Sequence, residues 1–140
     1  MRIVLIGQAP NRAGLTDRPL MGALGRKLAM MSGLTDDEYL RTFDRLNLIE
    51  FYPGDIFPNE PARRGAEILR RRLRGRSLIL LGSGVARAFN LRISILRWID
   101  FNGGRVAVLP HPSGRNRWYN DPRNRARASG FMRTVTQKVS

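Results

Sequence analysis

The chain has 140 residues, 42% of them hydrophobic, with 25 Lys and Arg against 11 Asp and Glu and a formal charge of +14 at pH 7. One packed domain over residues 1–140 is expected. The apolar fraction excludes disorder, and the charge implies a polyanionic partner, most often nucleic acid. A single histidine and no cysteine exclude disulfides, thiol catalysis, iron–sulfur clusters and a protein-built zinc site, so neither metal nor cofactor is expected. No run is apolar enough to cross a bilayer and no signal-peptide pattern opens the chain, which predicts a cytoplasmic protein, read here as a monomer.

In chain order, residues 2–6 read as a buried strand ending at Gly7, followed by a loop to about Pro19. Met21, Leu24, Leu28 and Met31 fall at helical spacing and predict a helix over 20–31. Thr35 and Glu38 form a capping box for a second, short helix carrying Tyr39, Leu40 and Phe43. Residues 46–51 look like the second strand, closed by Pro53-Gly54. A helix over 60–74 follows, with Asn59 as its cap, Pro61 in its first turn and Ala62, Ala66, Leu69 and Leu73 as its apolar stripe. Residues 77–81 make the third strand, and Gly82-Ser83-Gly84 then opens a short helix. Residues 91–101 read as helix and 105–109 as the fourth strand. Asp121 and Pro122 start the last helix, with Ala128, Phe131, Met132, Val135 and Val139 on one face.

Helices alternating with strands that are apolar on both faces predict a three-layer α/β/α sandwich around a mostly parallel four-stranded sheet. Ligands of such sheets bind outside the carboxyl ends of the strands. Three loops leave those ends with unusual content: 7–19, 47–58 and 110–121.

Nearly all the cations are arginine, which pairs with phosphate in a two-pronged geometry and stacks on bases. Arg63, Arg64, Arg70, Arg71, Arg72 and Arg74 cover the outer faces of the helix over 60–74, either for backbone phosphates or as a solvated face. The tail over 115–138 holds six arginines and one lysine around Trp118 and Tyr119, with Asp121 its only acid. Cations interleaved with aromatics suit a nucleic-acid strand; the same aromatics also suit packing of the last helix onto the sheet. The GSGVAR stretch over 82–87 reads as a tight turn or a phosphate cradle; it lacks the third glycine of a dinucleotide fingerprint. A small-nucleotide enzyme using this loop is one class of function left open. Asn47 inside an apolar strand either bonds neighbouring backbone or waits for a ligand, and its amide matches the edge of a base. His111, in a Pro-rigid loop at the mouth of a strand, is either structural or chemical.

Three stretches in this order resemble the uracil-DNA glycosylase superfamily. LIGQAPNRAGLTDRPLMGALGRKL (5–28) is similar to its first motif, G-Q-D-P-Y in one branch and G-E-x-P-G with R-P-F-x-G-x-x-G in the iron–sulfur branches. LNLIEFYPG (46–54) is similar to the T-N-x-x-K-C-R-P strand, with Asn47 at the base-reading asparagine. LPHPSGRNRWYN (109–120) resembles the H-P-S motif that carries a catalytic histidine and a loop entering DNA. LILLGSGVARAF also looks like the L-G-x-x-A segment that precedes it.

The resemblance implies DNA as partner and a flipped uracil or other deaminated base as substrate, with base excision repair as the setting. It implies His111 and Gln8 in the catalytic roles, and Asn47, Gly7, Ala9, Leu20 and Asn11 around the base. Ser113, Gly114, Arg115, Asn116, Arg117 and Trp118 then form the DNA-entering loop. The departures are specific. The positions of the water-orienting carboxylate hold Gln8 and Ala9, the base-stacking phenylalanine is replaced by Leu20, and the cluster cysteines are absent. Asp17, in the same loop, is either a substitute acid or a surface residue. A DNA or modified-base binding protein that does not cut is therefore the second class of function.

Overall fold

The computed structural model describes residues 1–10, 20–54, 57–92, 95–113 and 116–139. Its sheet is built from β1 (Ile3–Gly7), β2 (Phe43–Asn47), β3 (Ser77–Leu81), β4 (Ile99–Phe101) and β5 (Gly104–Leu109). The strand order is β2-β1-β3-β5-β4. The first four are mutually parallel, and β4 runs antiparallel along β5 at the edge. The helices are α1 (Gly22–Met31), α2 (Asp36–Thr42), α3 (Asn59–Arg72), α4 (Ser83–Ala88) and α5 (Pro122–Val139), with a 3₁₀ turn at Arg117–Asn120.

Alternation along the strands sorts the core into two faces. Val4, Ile6, Leu78, Leu80, Val106 and Val108 pack against Ala62, Ala66 and Leu69 of α3 and Val85 and Ala86 of α4. Ile3, Leu5, Ile79, Leu81 and Leu109 pack against α1, α2 and α5 through Leu28, Tyr39, Ala128 and Met132. The three-layer sandwich is thus present, with β1, β3 and β5 buried on both sides as the apolar runs require.

Three local expectations are corrected. The sheet has five strands, because part of the 91–101 stretch read as helix is the edge strand β4. Three residues give too little periodicity to announce a strand, and pairing with β5 supplies what local propensity lacks. The second strand is Phe43–Asn47 and not 46–51. The capping box does form, with Glu38 N–H on Thr35 Oγ1 and Thr35 N–H on Glu38 Oε1, but α2 stops at Thr42 and Phe43 starts the strand as a fully buried residue. Asn59 does not cap α3; it is the first residue of that helix, after Pro58, and no side chain caps the start. Among the described residues no helix is long and apolar enough to cross a membrane.

Candidate functional site

Shortening the second strand has a direct consequence for the site. Asn47 is the last residue of β2, opposite Gly7 as the last residue of β1. Pairing then continues into the loops, with Leu48 N–H donating to Gly7 O (2.9 Å) and Ile49 N–H to Gln8 O (3.1 Å). Asn47 and Gly7 are therefore held side by side at the carboxyl edge, on the face that also receives Leu20. A methyl group added to Gly7 would stand 2.6 Å from Leu20 Cδ2 and 2.8 Å from Asn47 Oδ1. Only a glycine lets these three groups meet.

Leu20 is fixed from below. Its backbone is left-handed at φ 57°, an unusual conformation for a branched residue. Its carbonyl accepts the buried Tyr39 hydroxyl at 2.9 Å. Asn47 Oδ1 is buried and has no hydrogen-bond partner among the described residues. An acceptor left in that state costs about 1–3 kcal/mol. Gln8 is half-buried beside this edge, whereas Ala9 turns to the opposite face and packs with the α3–α4 core.

His111 follows β5, whose last residue, Leu109, pairs with Leu81 of β3. Gly82, next after β3, has φ 98° and donates its N–H to Leu109 O at 2.8 Å. A Cβ on Gly82 would lie 3.4 Å from His111 Cβ, so the histidine rests across the end of β3. The loop is locked by its own side chains. Tyr119 Oη donates to Pro110 O (2.6 Å), Asn116 Nδ2 to His111 O (2.8 Å), and Trp118 N–H to Asn116 Oδ1 (3.1 Å). Burial holds the His111 imidazole below its ordinary value of 6.5, and the Lys27 ammonium on α1 pushes the same way. The ring is thus neutral at pH 7.

The carboxyl ends of β2, β1, β3 and β5 are neighbours. At about 4.8 Å per strand, β2 and β5 are roughly 14 Å apart, with β1 and β3 between them. The structure does not bring all the sequence candidates to this edge of the sheet. Ala9 faces away, and Asn116 holds the loop instead of presenting its amide. Trp118 and Tyr119 pack partly against the α5 side of the core, edge to face at 4.8 Å. Arg117 is exposed on the 3₁₀ turn and Ser113 is half-buried. Asn11, Asp17, Gly114 and Arg115 lie outside the described residues. Sequence reading missed Lys27, whose place beside His111 depends on how α1 crosses the sheet. It also missed Gly82 as the rest for His111, though the Gly-Ser-Gly at a strand end was a signal.

Comparison with known protein families matches residues 1–133 to the Uracil DNA glycosylase superfamily. The chain belongs to that superfamily. A search of curated proteins gives no match. Superfamily membership supports a DNA glycosylase-like function for the chain. Among the described residues no cluster of His, Cys, Asp and Glu is arranged to hold a metal ion.

Proposed function

We propose that this superfamily member is a DNA glycosylase that flips a uracil, or another deaminated base with the same edge, into the cleft between Asn47 and His111 and hydrolyses its N-glycosidic bond. The single observation that carries this reading is the buried Oδ1 of Asn47 at the end of β2, which has no hydrogen-bond partner among the described residues. That oxygen needs a donor. The imide N–H of uracil is one, and the neighbouring carbonyl of the base accepts the Asn47 amide N–H in return. Cytosine has no such N–H, so the pair reads deamination directly.

The rest of the cleft supports the chemistry. Flipping exposes the base to the edge formed by Gly7, Leu20 and Asn47. Leu20 offers an apolar floor without an aromatic stack. When the bond breaks, its electron pair leaves on the base, and the neutral His111 imidazole donates an N–H to the developing oxyanion. Water then adds to the sugar C1′ and its proton passes to the departing base or to solvent. Gln8 orients that water by hydrogen bonds but takes no proton. General-base help is worth about 10²–10⁴-fold, so the enzyme is slow for its class. The exposed Arg117 and the loop from Ser113, with Gly114 and Arg115, are proposed to contact the DNA backbone. Glutamine and alanine at both acid positions favour a second reading, a protein that grips a flipped base without releasing it.

Single-turnover excision from uracil-containing single- and double-stranded oligonucleotides decides between the two. Wild type is expected to release uracil, and His111→Ala to be about 10²–10³-fold slower with unchanged DNA affinity. Equal rates for the two proteins would remove His111 from catalysis. No release by wild type in excess over substrate would leave the binding reading.

A further inference from the structure

A cavity opens beside His111, against α4. Its volume is about 670 Å³, and Arg87, Leu91, Arg92, Ile95, His111 and Trp118 line it, whereas Gly7, Leu20 and Asn47 do not. That is the size of a small-molecule site. Its walls combine aliphatic side chains with two exposed guanidinium groups, and among its described lining residues there is no carboxylate.

The Trp118 backbone is tied down: its amide N–H donates to Asn116 Oδ1 and its carbonyl accepts from Asn124 Nδ2 at 2.9 Å, with the Arg127 guanidinium 5.9 Å from the indole centre. Arg87 is braced over the Phe57 ring at 5.8 Å. An indole beside unopposed arginines fits a nucleotide: the base lies on the ring and the phosphate pairs with the guanidinium groups. His111 lines this cavity and stands at the same end of the sheet as Asn47.

We infer that the cavity walled by Arg87, Arg92 and Trp118 is a second nucleotide subsite, taking the unstacked neighbour of the flipped base on the same DNA strand. The inference rests on the base cleft proposed above. It makes the protein a reader of two adjacent splayed nucleotides, which favours single-stranded over duplex DNA. In duplex DNA that neighbour would have to unpair as well.

The test uses the full chain and single-stranded five-nucleotide DNA with a central uracil on a cleavage-resistant 2′-fluoro sugar. Companion strands carry an abasic spacer on the 5′ or the 3′ side. Trp118 emission is followed, with Trp118→Leu giving the Trp98 baseline. The intact strand is expected to quench Trp118 saturably. Removing one neighbouring base is expected to weaken binding about 5- to 150-fold, the range for one base–aromatic stack. Arg92→Ala, an exposed residue whose loss spares the core, is expected to weaken the intact strand and leave the tryptophan environment of the free protein unchanged. If the strand binds without quenching and either neighbour can be deleted at no cost, the subsite does not exist. If quenching and neighbour dependence persist while no uracil-containing strand is ever cleaved, the subsite stands and only the catalytic reading falls.

Discussion

Gly7, Asn47 and His111 each carry a constraint that a neighbour imposes. Gly7→Ala inserts a methyl group 2.6 Å from Leu20 Cδ2 and 2.8 Å from Asn47 Oδ1. Both side chains must move, and overpacking of this kind costs about 1–3 kcal/mol. The expected result is a lower melting temperature together with loss of discrimination between uracil and cytosine strands. An alanine variant that discriminates as wild type does would show that Asn47 is not the reader. The histidine makes a second prediction, about pH. Its folded value is depressed by burial and by Lys27, while the unfolded value is near 6.5. Above 6.5 both states are neutral and the group contributes nothing to the pH slope. As the pH falls below 6.5 the unfolded chain takes up the proton first, so stability declines. His111 is the only histidine in the chain, and carboxylates titrate lower, near about 4. Melting curves at pH 7.5, 6.5 and 5.5 should show this decline in wild type and a flatter profile in His111→Gln.

At the scale of elements, α3 and the His111 loop divide the arginines by position. The α3 helix leaves the carboxyl end of β2 through a loop and delivers the chain to the amino end of β3, so it runs against the strands. Its beginning, with Arg63 and Arg64, lies toward the end of the sheet that carries Asn47 and His111. Its last turn lies at the opposite pole. There Arg70 donates to Phe89 O (2.7 Å) and stacks over Phe101, and nearby Arg76 pairs with Asp44 at 2.6 Å. These arginines hold structure as well as charge. Substituting Arg63 and Arg64 by glutamate is expected to weaken DNA binding strongly and flatten its salt dependence. The same change at the exposed Arg71 and Arg72 should have little effect. Titrations of both double variants against one labelled oligonucleotide check this, and equal losses would mean that DNA is held by diffuse charge.

At the scale of the whole molecule the formal charge of +14 would make the proposed association with DNA an ion-exchange process. Each phosphate neutralised on duplex should add about −0.9 to the slope of log affinity against log salt, and about −0.7 on a single strand. Binding of undamaged DNA between 50 and 200 mM salt measures the number of contacts. A slope near zero would detach the charge from any role with nucleic acid.

The α/β class and the two-faced core are legible in the sequence, because apolar runs of strand length between amphipathic helices leave few other ways to bury the chain. The capping box, the stripe of α3 and the face of α5 are legible for the same reason: each is a local pattern with a period. His111 and Asn47 stand out as polar residues where apolar ones are the rule. What only the tertiary structure decided depends on partners distant in sequence. The edge strand β4 exists because β5 offers it a ladder, and β2 begins at Phe43 because that ring is swallowed by the core under Tyr39. The clasp of Leu20 against Gly7 and Asn47, the rest of His111 on Gly82 and the cavity behind it join segments dozens of residues apart. Periodicity reports which face of an element is buried, and it carries no information about which other element is waiting there.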